Sequence, residues 1–267
     1  MTKITFLGTG GGRFVVITQL RATGGWVLEM DGQMLHIDPG PGALVRAKQC
    51  KAKLRKLTGV LCSHAHPEHY TDLEVVIEAM TEGATERRGV LIASEHVLKG
   101  GGNYRQVVSP YHQKVVEKVV MLKPEGSTRV GDIKVTATPT KHGEAKGIGF
   151  VFKGSHTVGY TSDGEYFPGM EKHYRRCDCL IMNVLRPRGV TWPQHMNTGD
   201  AAKLVARAKP KLAVIQHFGM LALKAGPEKE AAWVQKETGV KTVAARDGMV
   251  LELGKKPGKA PLSKYFK

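Results

Sequence analysis

The sequence lacks the features that several protein classes require. It has only 4 cysteines in 267 residues, and its 32 glycines follow no triplet period, which excludes disulfide scaffolds and collagen-like chains. No apolar run reaches the ~20 residues that a membrane-spanning helix needs. The opening MTKITFLGTG lacks the apolar stretch and the cleavage site of a signal peptide. We therefore expect a cytoplasmic protein with reduced thiols.

Acidic residues are scarce relative to basic ones. The chain has 40 Lys and Arg against 24 Asp and Glu, a net charge of +16 and a pI near 9.7. Such a charge favours anionic partners, but nucleic acid, nucleotides, acidic metabolites and a merely solvated basic surface all remain open. The basic residues cluster at 51–56, 87–88, 175–176 and 186–188, and in the C-terminal tail.

Short apolar strands alternate with helical patterns along one long region, which indicates an α/β fold. Asp31 and Gly32 lie between two strand patterns and predict a type I′ hairpin, so mixed sheets are favoured over a purely parallel sheet. Thr71 and Glu74 resemble a capping box before a helix. We predict one domain over residues 1–253 and a basic, flexible tail over residues 254–267.

The segment GVLCSHAHPEHYTD carries three histidines and a glutamate within six residues. A buried strand is predicted to end at Cys62, so the group lies at a strand end. Imidazole and carboxylate groups are ligands for Zn²⁺ and similar ions. His64 and His66 are two residues apart in an extended segment and can face one ion. Glu68 and His69 lie beyond them and suit a second ion.

Two ions need further ligands, and three residues elsewhere have the right placement. His142, Asp163 and His217 each follow an apolar strand pattern, and α/β folds assemble their sites at strand ends. The other histidines lack this placement and are predicted to be structural or surface residues: His36, His96, His112, His156 and His173.

The order HxHxEH, His, Asp, His resembles the metallo-β-lactamase fold superfamily, as do ITFLGTGGG, HIDPGPG and IQHFG. The resemblance covers residues 1–253 and implies an αββα sandwich, with two mixed β-sheets flanked by helices. It implies that one metal is held by His64, His66 and His142. It implies that a second metal is held by Glu68, His69 and His217. Asp163 would bridge the two, and Asp38 would support the ligands by hydrogen bonding.

Glu68 departs from the family pattern, which usually has Asp at this position. The additional methylene moves the carboxylate by about 1.5 Å. Glu68 can still ligate, the second metal can bind weakly, or another ion can be preferred. Zn²⁺ is the first expectation, with Mn²⁺ or Fe²⁺ as alternatives, because His and carboxylate ligands discriminate weakly among them.

The segment HMNTGDAAKLVARAKPKLAVIQHFG is similar to the C-terminal part of the RNase Z-like phosphodiesterase branch. This resemblance implies that His195, before a helix capped by Asn197 or Thr198, protonates the leaving oxygen. It also implies that Glu68 orients His195, and that Asp163 helps to hold the two metals that activate the attacking water.

Two features of this branch are missing. Only 21 positions separate His142 from Asp163 and 32 separate Asp163 from His195, which leaves no room for a tRNA-clamping arm or a β-CASP domain. The chain resembles an archaeal-type subgroup whose membership does not settle the substrate. We expect a phosphodiesterase or nuclease, with basic residues surrounding the metals. If the basic clusters lie on the opposite face, a hydrolase of a small metabolite (a cyclic phosphate, thioester or lactone) gains support.

A third hypothesis is a clamp-binding or nucleic-acid-binding accessory protein whose metal site is structural. The tail KAPLSKYFK is similar to the clamp-binding peptides of replication proteins, through Leu262, Tyr265 and Phe266, although Lys259 replaces the usual Gln. No membrane partner is expected, and a homodimer remains compatible with these patterns. The turn GTGGGR lacks phosphate-loop spacing and no helix pattern follows it, so we expect no nucleotide cofactor.

Overall fold

The computed structural model describes residues 1–254. The predicted tail over residues 254–267, including Leu262, Tyr265 and Phe266, lies outside the described residues except for Gly254. No helix in the described part of the chain has the length and apolar character needed to cross a membrane.

The first sheet has seven strands and combines antiparallel and parallel pairs. In spatial order its strands are β15 (Val250–Leu253), β1 (Thr2–Phe6), β2 (Trp26–Met30), β3 (Gln33–Ile37), β4 (Gly59–Cys62), β5 (Val90–Ala93) and β6 (Lys118–Met121). The pairs from β15 to β3 are antiparallel, and those from β3 to β6 are parallel. The last strand of the described region thus pairs with the first.

The second sheet has eight strands and is also mixed. In spatial order its strands are β14 (Thr242–Ala244), β13 (Leu212–Gln216), β11 (Cys179–Arg186), β10 (Thr157–Tyr160), β9 (Ile148–Lys153), β8 (Ile133–Pro139) and β7 (Ser127–Val130), and the short β12 (Met196–Asn197) pairs with β11. The pairs from β7 to β10 are antiparallel, and those from β10 to β14 are parallel.

Helices cover the outer faces of the sheets. The α-helices are α1 (Arg13–Thr18), α2 (Ala43–Gln49), α3 (Pro67–Tyr70), α4 (Leu73–Met80), α5 (Glu95–Lys99), α6 (Pro110–Val115), α7 (Thr198–Ala208), α8 (Met220–Ala225) and α9 (Pro227–Thr238). Two short 3₁₀ helices span Leu54–Lys56 and Met170–Lys172.

Side-chain alternation along the strands creates the layers. In β4, Leu61 belongs to the core between the two sheets, while Val60 and Cys62 pack against the helices outside. In β11, Ile181 faces the inner core and Leu180 faces α7 and its neighbours. Strands covered on both faces are continuously apolar. The result is the expected αββα sandwich of two mixed sheets, and this prediction is confirmed.

Local predictions had mixed outcomes. Asp31 and Gly32 both have positive φ, 50° and 76°, in the tight β2–β3 turn, as a type I′ hairpin requires. The capping box at Thr71 and Glu74 is wrong. The N-cap of α4 is Asp72, the Thr71 hydroxyl donates to the Pro67 carbonyl, and the Glu74 carboxylate accepts from the Ser109 backbone.

The expectation that no helix follows the glycine turn is also wrong, because α1 begins at Arg13. Phe14 and Ile17 on this short helix are 72% and 74% exposed, so α1 lacks the buried apolar face from which the sequence pattern predicts helices.

Candidate metal centre

The predicted ligands converge at one edge of the sandwich. His64 and His66 follow β4, His142 follows β8, Asp163 follows β10, and His217 follows β13. Strands β4, β8, β10 and β13 all direct their carboxyl ends to this edge, so residues far apart in the sequence meet there.

Three imidazoles form the first group of donors. His66 Nδ1 lies 3.2 Å from His64 Nε2 and 3.1 Å from His142 Nε2. Ligands about 2.0 Å from a tetrahedral ion are about 3.3 Å apart, so this spacing fits three ligands of one ion.

The other nitrogen of each ring contacts an oxygen of the protein. His64 Nδ1 lies 3.0 Å from Ser63 Oγ, and His66 Nε2 lies 3.3 Å from the hydroxyl of Tyr104. His142 Nδ1 lies 3.0 Å from the Gln194 carbonyl, which can only accept. His142 therefore carries its proton on Nδ1 and offers the lone pair of Nε2 to the cluster.

Four residues form the second group: Glu68, His69, Asp163 and His217 each offer one ligand atom, and these atoms lie within 4.8 Å of one another. His69 Nε2 lies 3.5 Å from Asp163 Oδ2, and His217 Nε2 lies 3.4 Å from Asp163 Oδ1. Glu68 thus lies within reach of the second group despite the change from Asp to Glu.

Asp38 supports the segment after β4 that carries the candidate ligands. Its carboxylate accepts hydrogen bonds from the backbone N–H and the hydroxyl of Ser63, both at 2.7 Å. It also accepts from Tyr160 at 2.7 Å and from His69 Nδ1 at 3.0 Å. The bond to His69 fixes the ring so that Nε2 faces the second group, which is the supporting position expected for Asp38.

Asp163 lies between the two groups and is almost fully buried. Its Oδ2 is 4.0 Å from His64 Nε2 in the first group, and its Oδ1 accepts a 2.7 Å hydrogen bond from the Asn183 amide. Burial alone would raise the pKa of Asp163, but the surrounding imidazoles lower it well below the ordinary value. The group therefore remains a carboxylate, the form that binds metal.

Burial keeps most of the histidines neutral. It lowers the pKa of His64 well below the ordinary value, lowers that of His217, and lowers that of His66 to about 4. Burial also acts to lower the pKa of His69, but Asp163 and Asp38 outweigh it and raise that pKa well above the ordinary value. Neutral imidazole is the ligand form, and metal binding would displace the proton of His69.

Several buried polar atoms at this edge have no hydrogen-bond partner: His69 Nε2, Asp163 Oδ2, and Nδ1 and Nε2 of His217. Unpartnered buried polar atoms are costly, and three of the four point into the second group. Divalent cations satisfy this combination of imidazole and carboxylate donors. The residues present therefore fit metal binding.

His217 is held by close backbone packing. It has a positive φ of 63°, and a Cβ atom on Gly11 would lie only 2.1 Å from its Nδ1. Gly11 also donates its backbone N–H to the Phe218 carbonyl. The glycine turn therefore packs against a proposed ligand, where no side chain fits.

His195 faces the same centre from the loop before α7. Its Nδ1 lies 3.8 Å from Asp163 Oδ2, and His142, Asp163 and His195 form a third group of close donor atoms. Burial lowers the pKa of His195 to about 4, so its ring is neutral at neutral pH. The helix that follows begins with a capping box between Asn197 and Asp200, and Asn197 is one of the two predicted caps.

Comparison with known proteins identifies the family. A model of the beta-lactamase superfamily domain matches residues 33–218. The chain belongs to this superfamily. The protein MJ1374 of Methanocaldococcus jannaschii is 39% identical over 254 residues, covering 94% of this chain and 95% of its own. The metallo-β-lactamase fold protein YhfI of Bacillus subtilis is 26% identical over 225 residues, 82% of this chain and 88% of its own.

Solved structures show the same fold. The crystal structure of YhfI has a TM-score of 0.77 at 20% identity, with 94% of this chain and 98% of YhfI covered. A diphosphatase of the PhnP family has a TM-score of 0.73 at 20% identity, covering 95% and 98%. The short form of human tRNase Z has a TM-score of 0.69 at 17% identity, covering 94% and 99%. The chain thus combines the fold of the metal-dependent hydrolases of this superfamily with a cluster of candidate metal ligands.

The expectation that the basic clusters surround the metals is wrong for most of them. Residues 51–56 and 87–88 precede β4 and β5, and residues 175–176 precede β11, so these three clusters lie at the opposite edge of the sheets. Of the clusters within the described residues, only the one at 186–188 lies at the carboxyl end of its strand, β11, and therefore at the metal edge. The direction of each strand decides at which edge of the sheet a cluster lies, and a count of charges along the sequence does not show that direction.

Sequence reasoning missed several residues around the ligands. Asn183 interrupts the apolar strand CLIMNVLR, and such an isolated polar residue was an available signal. Tyr104 had no signal, since it lies in a polar loop. His96, predicted to be structural or on the surface, stacks on Tyr104 with ring centroids 5.2 Å apart and pairs with the buried carboxylate of Glu144. It therefore supports the Tyr104 ring that contacts His66.

Proposed function

We propose that this protein is a phosphodiesterase that hydrolyses its substrate with a water activated by two divalent ions, with Zn²⁺ as the first choice and Mn²⁺ or Fe²⁺ as alternatives. The observation that carries the proposal is the position of His195. Its ring reaches Asp163 at 3.8 Å from a loop outside both ligand groups. A hydrolase that only needs two ions and a water requires no such additional imidazole.

Each residue of the centre has a role in this proposal. His64, His66 and His142 would hold one ion, and Glu68, His69 and His217 would hold the other, with Asp163 contributing its carboxylate between the two groups of ligands. Ions bound there would lower the pKa of a water, polarise the phosphoryl group and neutralise developing charge. Asp38 and Asn183 orient His69 and Asp163 through the hydrogen bonds described above.

His195 acts as the general acid toward the leaving oxygen. An N–H of its ring can hydrogen-bond to that oxygen, and the negative charge of a bound phosphodiester favours the protonated ring that proton transfer requires. Glu68 contributes a nearby carboxylate that also favours protonated His195. Two named neighbours, a diphosphatase and a tRNase Z, share this fold and support phosphoryl chemistry.

The test is replacement of His195 by Ala in the metal-loaded protein. We expect hydrolysis of a dinucleoside monophosphate, whose alkoxide leaving group needs a proton, to fall by about a hundredfold to ten-thousandfold, because general acid catalysis contributes that much. Hydrolysis of bis(p-nitrophenyl) phosphate should change much less, since p-nitrophenolate leaves without a proton. Metal content by elemental analysis should not change. The matched control is His173→Ala, since His173 pairs with Glu125 on the surface and should leave turnover intact. Unchanged turnover of the dinucleoside monophosphate in His195→Ala would remove the residue from the mechanism.

A second candidate is hydrolysis of a small metabolite. The observation that favours it is the position of the basic clusters, three of which lie at the edge opposite the metals. A long nucleic acid bound at the metal edge would not contact these three clusters directly. A panel of RNA, DNA, cyclic nucleotides, thioesters and lactones with defined metals distinguishes the candidates, and turnover of thioesters or lactones alone would contradict a phosphodiesterase.

A further inference from the structure

One exposed aromatic residue lies beside the metal centre and is used by neither the ligands nor their supports. Trp192 is 52% exposed, although burying an aromatic ring of this size is strongly favourable. Exposed tryptophan next to a polar site is a common feature of binding surfaces.

The loop that carries Trp192 is fixed to the metal centre. The His195 backbone N–H donates to the Trp192 carbonyl at 3.3 Å, and the two residues form an antiparallel bridge. Between them, the Gln194 carbonyl accepts from the metal-ligand candidate His142, and the Gln194 backbone N–H donates to Glu165. Trp192 is thus placed by the same loop that presents His195.

Arg186 covers one face of the Trp192 ring, with its guanidinium carbon 4.6 Å from the ring centroid. Arg186 forms no ion pair with any residue of the described chain, and its Nε has no hydrogen-bond partner there. The neighbouring Arg188 differs, because it pairs with Glu230 and lies over Trp233. Arg186 therefore offers a positive charge without an ion-pair partner among the described residues, in the basic cluster 186–188 at the metal edge.

We propose that Trp192 and Arg186 bind the nucleoside part and the phosphate charge of a nucleotide phosphodiester, with the base stacked on the Trp192 ring. The proposal rests on the proposed phosphodiesterase function and specifies its substrate class. A planar base suits an exposed aromatic ring, and the neighbouring guanidinium suits the adjacent phosphate. One ring beside one arginine fits a single nucleotide unit.

The test compares two chromogenic substrates that share one leaving group. Thymidine 5′-(p-nitrophenyl phosphate) carries a base, whereas methyl p-nitrophenyl phosphate does not. In the metal-loaded full chain, Trp192→Ala should raise KM for the thymidine substrate about tenfold, the lower-middle range for loss of base stacking. The kcat/KM for the methyl substrate should not change. Trp192→Phe should retain most of the affinity, because phenylalanine also stacks.

Matched variants separate stacking from charge. Arg186→Gln should raise KM for both substrates, since both carry the phosphodiester charge. Trp233→Phe replaces the other tryptophan that lies under an arginine and should alter neither substrate. An equal effect of Trp192→Ala on both substrates, or no effect on either, would overturn the proposal.

Direct binding distinguishes failure of this proposal from failure of the proposed function. Calorimetry with thymidine 5′-monophosphate and with methyl phosphate needs no turnover. If wild-type protein hydrolyses neither chromogenic substrate, the phosphodiesterase proposal fails. Binding of thymidine monophosphate that Trp192→Ala weakens would then still support the stacking site, and binding that it leaves unchanged would overturn it.

Two sources can supply the same nucleotide chemistry, a nucleic acid strand or a free nucleotide. A short single-stranded RNA and a cyclic nucleotide are therefore titrated in parallel with the wild type and Trp192→Ala. A Trp192-dependent affinity confined to the RNA identifies a strand, and one confined to the cyclic nucleotide identifies a small substrate. Dependence on Trp192 for neither contradicts the proposal.

Discussion

The two halves of the candidate metal centre are built differently. On the first sheet, four candidate ligands lie in one short segment after β4, formed by a loop and helix α3: His64, His66, Glu68 and His69. On the second sheet, His142, Asp163 and His217 each follow a different strand. Chain connectivity alone keeps the first four close together. The other three meet only because their strands end at the same edge.

The two halves also differ in how their polar atoms are satisfied. In the first half, Asp38 forms a hydrogen bond with Nδ1 of His69, and Ser63 forms one with Nδ1 of His64. In the second half, both nitrogens of His217 and one oxygen of Asp163 lack hydrogen-bond partners, whereas in the first half one atom, His69 Nε2, lacks one. The compact half is preorganised by its own hydrogen bonds, whereas the dispersed half depends more on bound ions.

The largest effect should come from Asp163, which lies between the two ligand groups. Asp163→Ala should reduce hydrolysis of bis(p-nitrophenyl) phosphate by about a thousandfold or more, since metal assistance contributes several kcal/mol. Elemental analysis should show loss of both ions. His64→Ala, in the compact half, should lower the content of one ion only. Equal loss of both ions in the two variants would contradict the distinction between the halves.

Removal of the metal ions by a chelator should have a moderate effect on the stability of the fold. Ions present 1,000-fold above their dissociation constant stabilise the fold by about 4 kcal/mol, so the midpoint of thermal unfolding should fall by several degrees. Hydrogen exchange should increase most around Ser162 and His217, where backbone φ is positive. The segment of β4, hydrogen-bonded on both sides, serves as the internal control. Equal exchange in both segments would show that ions hold both halves alike.

The smallest effects should come from residues that support the ligands. Asn183→Ala removes the hydrogen bond to Asp163 and should lower metal affinity about tenfold to a hundredfold. Tyr104→Phe removes the hydroxyl next to His66. Its loss of metal affinity should be about tenfold, the lower end of this range, because Tyr104 is only half-buried and water can replace its hydroxyl. Competition with a chromophoric chelator measures both. A larger loss in Tyr104→Phe would reverse the expected order.

Local sequence predicted some features because their causes are local. The hairpin at Asp31 and Gly32 depends on two positive φ angles, and Asn197 caps α7 through its own side chain. Capping at Thr71 failed because the chain offered a competing acceptor, the Pro67 carbonyl. The helix α1 escaped prediction because it is short and Val15 is its one fully buried residue, so its pattern gave no periodic signal.

The sequence by itself determined the donor types, the compact ligand loop and the family to which the chain belongs, because these depend on residue identity and short spacing. It also set the net charge of +16. Only the tertiary structure decided where that charge lies and which residues, such as Asn183 and Tyr104, support the predicted ligands. Strand direction places most basic clusters away from the candidate metal centre, yet brings Asn183 to Asp163 through a 2.7 Å hydrogen bond. Such placement depends on contacts between residues far apart in the chain, which composition and periodicity do not encode.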